Sequence, residues 1–354
     1  QAQQGVYFSL MLVPPAELRF AERAPVEMVF VLDCSGSMGG RPIEQSKNAM
    51  SRALRSMNAN DTFQVIRFSE DASTFGPAPV PATPENINRA LRYVESLDAN
   101  GGTEMLRGIH AALDFPHDPE RLRFVVFLTD GYIGNEADFL GAIQDRLGAT
   151  RIFSFGVGSS PNRYLLDHMA IVGRGVVGYL ALSDSASDVM DAFFERVSHP
   201  ALTDVRIDLE GYPSLAEAEI YPRMSRDLFV GRPVVFTGRV DGPLPETIRV
   251  RGRMNGRDWS MNVPIAAARS DECKALAPIW ARTKIADLMD EMAWSGNPVI
   301  ADDVEQLALS YALMSQYTAF VAVDSLTVTQ GTYGITVAQP VPVPEGVKYE
   351  TTVR

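Results

Sequence analysis

Five oxygen-bearing side chains stand at strand or loop ends of this chain. Asp33, Ser35 and Ser37 lie in DCSGS directly after VFVL, Thr103 lies in NGGTEM, and Asp130 lies in FLTDG. Three chemistries use residues of these types on short turns: a phosphate loop, a nucleophile on a tight bend, or a cation site. A phosphate loop ends in Gly-Lys-Ser or Gly-Lys-Thr, and SGSMGGRP has no such ending. A serine nucleophile needs a histidine base with an orienting acid. The four histidines, His110, His117, His168 and His199, fall on helices, in a loop and at a junction. His110, on the helix after Thr103, comes nearest in sequence, and burial or solvent contact on that helix is its expected role.

A cation site remains, and its donors are two carboxylates and three hydroxyls. Such a set is hard and oxygen-only. Magnesium takes six oxygens and keeps several waters, so it suits so small a set, whereas calcium asks for more carboxylates and zinc for imidazole or thiolate. Mn2+ or Ca2+ are the substitutes to expect. Asp-x-Ser-x-Ser after a strand aims alternate side chains at one point, and Gly36 lets the chain bend closely there. The hydroxyls are neutral. Where the carboxylates act through bridging waters, the ion stays electrophilic, and an acidic group from a partner is its natural further ligand. Such a site recognises a carboxylate and activates no reaction, so the chain is read as a non-enzyme.

Bulk properties narrow the partners. The chain has 354 residues, 46% hydrophobic and 21% charged, with a formal net charge of -12. That length favours two or three domains. The acidic balance and the lack of clustered Lys and Arg argue against nucleic acid. No apolar run reaches the roughly 20 residues of a membrane span, so direct membrane insertion is not expected, and no signal peptide or anchor is legible. The two cysteines, Cys34 and Cys273, form no zinc spacing. Cys34 is expected as an inward-facing thiol, since no histidine lies near it in sequence to activate it.

The elements that would position the five oxygens follow from periodicity. Strand-like runs at 26–32, 63–68, 123–129, 151–157 and 176–180 alternate with helical patterns at 42–57, 84–97, 104–114, 135–147, 161–171 and 185–197. Continuous apolar strands between amphipathic helices imply a parallel sheet covered on both faces. Ligands of such sheets bind beyond the carboxyl ends of the strands, where the strand order reverses. If the first strand and the 123–129 strand are neighbours there, all five oxygens converge. After residue 199 the runs shorten and alternate, as in an antiparallel sandwich. Helical spacing returns at 272–293 and 301–315, with a strand-like TAFVAVD at 318–324. Trp280, Trp294, Met289 and Met292 fall at helical spacings and are expected in the core.

The combination of DCSGS, GGT and LTDG resembles the metal-ion-dependent adhesion site of von Willebrand factor type A domains. That resemblance implies direct coordination by Ser35, Ser37 and Thr103, with Asp33 and Asp130 acting directly or through water. It also implies that the helix at 185–197 shifts when the site takes a ligand. Beyond that domain, SHPALTDVRIDL, LAPIWARTKIADLM and LALSYALMSQYTAFVAVD resemble the heavy chains of inter-alpha-trypsin inhibitor and their bacterial relatives. The usual β-rich VIT domain before the A domain is lacking apart from a short strand at 6–13, and no polysaccharide-attachment motif is seen at the end.

The expected organisation is α/β: a Rossmann-like, doubly wound A domain inserted in or joined to a β-sandwich, with a C-terminal helical segment. Its divisions are a strand and linker at 1–24, the A domain at 25–198, a sandwich segment at 199–270, helices and a return strand at 271–325, and an extended tail at 326–354. The implied function is metal-dependent adhesion to a protein or matrix ligand that presents an acidic residue. An extracellular, cell-surface or periplasmic location goes with it, against the alternative of an intracellular assembly or chaperone scaffold.

Overall fold

In the computed structural model the first long strand after the N-terminal segment shows why this half of the chain folds as it does. Residues 5–15, 24–118, 120–131, 133–181, 183–197, 200–212, 218–224, 227–229, 233–266 and 273–321 are described. Strand β1 spans Val6–Leu12, and strand β2, Val26–Asp33, is buried along its whole length. Val29 and Val31 point into one apolar cluster with Ile66, Phe127 and Phe139, while Phe30 and Leu32 point into another with Met50, Phe63 and Phe153. A strand buried on both faces must be apolar at every position, which is what the continuous run VEMVFVL provides.

The strands around it are β3 (Thr62–Phe68), the short β4 (Ala72–Thr74) and β5 (Val80–Pro81), β6 (Leu122–Thr129), β7 (Arg151–Val157) and β8 (Val177–Leu180). Their order is β4-β3-β2-β6-β7-β8, with β5 paired to β3. Strands β2, β3, β6, β7 and β8 run parallel, β2 pairing with β3 on one side and β6 on the other, while β4 and β5 pair antiparallel with β3. The chain therefore winds outward from β2 in both directions, and the strand order reverses between β2 and β6. Helices α1 (Arg41–Arg55), α2 (Pro84–Glu95), α3 (Met105–Leu113), α4 (Glu136–Arg146), α5 (Arg163–Val172) and α6 (Ala186–Val197) cover the two faces. Pro42 and Pro84 sit in first turns, where a missing N–H costs nothing, and Thr83 caps α2 by accepting the Asn86 N–H at 3.3 Å.

The second module uses chain from both sides of this domain. Strands β9 (Pro200–Leu209), β10 (Ala218–Tyr221), β11 (Leu228–Phe229), β12 (Val234–Val240), β13 (Thr247–Met254) and β14 (Arg257–Pro264) follow α6. They make two sheets, β1-β12-β10 and β11-β9-β13-β14. Strand β1 pairs with β12 from Val6 opposite Val240 to Leu12 opposite Val234. The doubly wound domain is thus an insertion between β1 and β9. Phe8, Leu10, Leu202, Val205, Phe236, Ile248 and Val250 fill the space between the sheets. Helix α7 (Leu276–Ser295) touches α4 and α5 of the inserted domain as well as β1, β10 and β12, and α8 (Val299–Ser310) packs on α7. Trp280 on α7 is buried against Tyr221, and its indole N–H donates to the Glu219 carbonyl at 2.9 Å. That agrees with its expected core role.

One expectation needs correction. The chain divides at Thr318, with Gln1–Thr318 one unit and Ala319–Arg354 a second. The return strand expected at 318–324 does not form over its described part: Thr318 makes only an isolated bridge with Ser315, and 319–321 are irregular. An apolar alternation makes a strand only where an edge accepts it, and here Thr318 turns its hydroxyl back to the Leu313 carbonyl at 3.0 Å. Residues 322–324 and the expected tail at 326–354 lie outside the described residues. None of the described helices is long and apolar enough to cross a membrane.

Candidate metal centre

The crevice between the ends of β2 and β6 is built by backbone stitching. Cys34 N–H still donates to the Phe68 carbonyl at 2.8 Å, and the chain then leaves the sheet into a single 3-10 turn at Gly36–Met38. The loop that carries Thr103 is tied to this turn at two points. Asn100 N–H donates to the Cys34 carbonyl at 2.7 Å, and Gly36 N–H donates to the Gly101 carbonyl at 2.9 Å. A Cβ at position 36 would stand 3.3 Å from that carbonyl, so the absence of a side chain permits the close approach. Past Thr103, Glu104 N–H donates to the Ser69 carbonyl at 2.7 Å. Thr103 is half-buried in a loop anchored at both ends.

Asp33 is fully buried at the end of β2, with 0% exposure. Its Oδ1 accepts the Ser35 N–H at 2.8 Å, and its Oδ2 accepts the Thr129 hydroxyl at 2.6 Å. Ser35 is also buried, and its Oγ lies 3.1 Å from the Oγ of the exposed Ser37. Asp130 follows Thr129 directly and is buried, and its carbonyl accepts the Asn162 N–H at 2.8 Å. Gly131 turns the chain away at a φ of +76°. Burial pushes the Asp33 carboxyl above its ordinary range and the charge of Asp130 pushes it further, against hydrogen bonds from Ser35 and Thr129 that pull it down.

These facts test the fit of a cation. Two carboxylates close enough to repel one another, one of them wholly buried, pay a desolvation cost that a divalent ion would relieve. Among the described residues no three His, Cys, Asp or Glu side chains gather as a metal cluster, so an ion here would rest on hydroxyls and only two acids. That is a magnesium-like donor set. The geometry brings together Asp33, Ser35, Ser37 and, through its charge, Asp130; Thr103 enters by way of its anchored loop.

The histidines serve elsewhere. His117 Nε2 lies 2.9 Å from the Arg121 carbonyl, and His168 Nδ1 lies 2.7 Å from the Tyr164 carbonyl. The buried Nε2 of His110 meets no hydrogen-bond partner among the described residues. His199 lies outside the described residues.

Cys34 is buried in the apolar cluster with Met38 and Met50, where burial first and then the charge of Asp33 push its thiol up to about 12. It is therefore protonated and inert at neutral pH. Cys34 and Cys273 are both free. In native protein a thiol-specific chromogenic reagent should titrate Cys273 promptly, with Cys34 reacting only after denaturant is added; rapid native labelling of both would contradict this account.

Thr129 and Asn162 escaped the sequence reading. The signal was present for Thr129, a hydroxyl immediately before an aspartate at a strand end. It reads equally well as one more β-branched strand residue.

Residues 26–178 match the family model described as von Willebrand factor type A domain. The chain is 29% identical to human inter-alpha-trypsin inhibitor heavy chain H4 over 330 residues, covering 86% of this chain and 34% of that protein. It is 28% identical to a von Willebrand factor A domain-containing protein of Dictyostelium discoideum, covering 86% of this chain and 33% of the relative. The chain thus spans about a third of the length of these relatives. Among solved structures, a von Willebrand factor type A protein from Catenulispora acidiphila shares the fold at a TM-score of 0.57 and 17% identity, covering 87% of this chain and 91% of that one.

Proposed function

Residues 26–178 are a von Willebrand factor type A domain, and from that premise we propose that the crevice between β2 and β6 holds a divalent cation through which the protein binds an acidic group of a partner. Ser35, Ser37 and Thr103 are the direct donors in this reading, with Asp33 and Asp130 supplying the charge. Mg2+ is the ion, with Mn2+ or Ca2+ as substitutes. A hard cation supplies a Lewis-acidic point that seeks an anionic oxygen, and the chain's own residues fix where that point lies. Ser37, exposed at the rim, marks the side from which a partner approaches. The observation that carries the reading is Asp33: a carboxylate sealed from solvent, raised by burial, and facing the like charge of Asp130.

The partner in this reading is a protein or matrix ligand presenting an acidic side chain, and the role is adhesion outside the cell, at its surface or in the periplasm. Likeness to the heavy chains supports that placement; recovery of the protein from the cytosolic fraction of its source cells would overturn it.

The test is a melting-temperature series. At free metal a hundredfold above Kd, binding to the native state alone adds about 2.7 kcal/mol, or a rise of roughly 5–10 °C for a domain of this size. Wild-type protein should show such a rise with Mg2+ or Mn2+, and Thr103→Ala should keep its apo melting temperature and lose the rise. A wild type indifferent to all three ions would end the proposal.

A further inference from the structure

We propose that Thr129 decides how Asp33 meets a cation, holding it one water away so that the cation's open face is left to a partner's carboxylate. The proposal rests on the cation reading above and adds to it a residue outside the five candidate ligands.

The Thr129 side chain is 0% exposed at the last position of β6. Its hydroxyl has a defined direction. Gly131 N–H donates into Oγ1 at 2.9 Å, which uses a lone pair and leaves the hydroxyl hydrogen for Asp33 Oδ2 at 2.6 Å. The opposite oxygen, Oδ1, is claimed by the Ser35 N–H at 2.8 Å. Both carboxylate oxygens are therefore held by donors fixed to the sheet and to the turn. To become a direct ligand, Asp33 would have to turn its carboxylate toward the cation and strain a short charge-assisted bond at Oδ2 together with the backbone bond at Oδ1. The same hydroxyl reaches the Asp130 side through Gly131, whose φ of +76° starts the turn away from the sheet. One hydroxyl thus fixes the carboxylate of Asp33 against the loop of Asp130.

The chemical consequence concerns the inner shell. With Asp33 kept back, that shell is rich in neutral hydroxyls and water, so the ion remains electrophilic. With Asp33 released, the shell gains an anionic oxygen. The site then becomes more like a calcium site and less hungry for an external acid.

Thr129→Val removes the hydroxyl while keeping the branched shape, and Thr129→Ser keeps the hydroxyl. Calorimetric titration of the whole chain with Mg2+ and with Ca2+ should show the Val variant shifted about tenfold toward Ca2+, the scale of outer-shell effects. Binding of an acidic peptide to the Mg2+-loaded Val variant should weaken by about the same factor. Water-proton relaxation with bound Mn2+ should report fewer inner-shell waters in the Val variant, and the Ser variant should match wild type in all three measurements. If circular dichroism shows the Val variant unfolded, Thr129→Cys, whose thiol is a weaker donor, should show the same shifts at smaller size. An unchanged Mg2+ to Ca2+ ratio, or equal weakening for both ions, would overturn the role of Thr129 while leaving the cation site standing. A wild type that binds none of the three ions would overturn both.

Discussion

Asp227→Ala should destabilise the protein by about 3–5 kcal/mol in chemical denaturation, although residue 227 belongs to the sandwich module and lies away from the metal crevice. Its carboxylate is fully buried against Arg151, at the first position of β7 and itself fully buried. Arg151 Nε donates to Asp227 Oδ2 at 2.6 Å, and Nη2 donates to Asp227 Oδ1 at 3.0 Å and to Asp204 Oδ1 at 2.9 Å. Nη1 donates to the Ala149 carbonyl at 2.7 Å. Deleting one carboxylate leaves a sealed guanidinium whose remaining acidic partner among the described residues is the partly exposed Asp204. Stranding such a charge costs far more than making the pair gains.

The pair itself adds little over an apolar replacement, since burial pushes the Asp227 carboxyl up even beside the guanidinium. Arg151→Met combined with Asp227→Leu should therefore recover most of the lost stability. Failure of that recovery would show that the pair contributes more than its own cost. The location gives the effect a functional edge. Two residues beyond Asp227, Phe229 of β11 packs on Phe153 with ring centroids 6.2 Å apart, and Phe153 meets Phe193 of α6 at 5.1 Å. The sandwich is thus seated at the end of the sheet opposite the metal crevice, on the helix that leads into β9. Wild type should unfold in one transition by fluorescence and by far-ultraviolet dichroism alike, and Asp227→Ala should separate the two.

This contact marks the limit of what the sequence made legible. The doubly wound sheet was readable because its strands are apolar at every position, as Val29 to Leu32 show. The oxygens of the crevice were readable because hydroxyls and acids follow two separate apolar runs and a further hydroxyl stands in a Gly-Gly loop. The Arg151 latch was not, because an arginine opening RIFSFGV reads as the solvent end of a strand, and its partner lies 76 residues away. Only the fold brings them together. The same holds for Trp280. Helical spacing predicted its burial, but not that α7 would lean on both modules, where Lys284 and Arg239 both pair with Glu219. Thr318 shows the reverse failure, a β-like run whose first described residues find no sheet edge.

Asp33→Asn should abolish the response to Mg2+ and Mn2+ and, in metal-free buffer, raise the melting temperature above wild type. The two effects have one cause. In the absence of a cation, Asp33 is a carboxylate that burial disfavours and Asp130 repels. An amide of the same shape removes that repulsion, and its oxygen still accepts the Ser35 N–H. Thr129 then has to take the amide N–H as acceptor in place of donating, which costs part of the gain. A net stabilisation on the order of 1 kcal/mol is expected, or a rise of about 2–4 °C. Sites kept for binding commonly carry such a cost. With a saturating divalent ion the order should invert, wild type melting above the variant. The decisive measurement is therefore the pair of melting curves in chelator and in metal. A variant less stable than wild type in both would mean that Asp33 is a structural acceptor rather than half of a charge pair awaiting a cation.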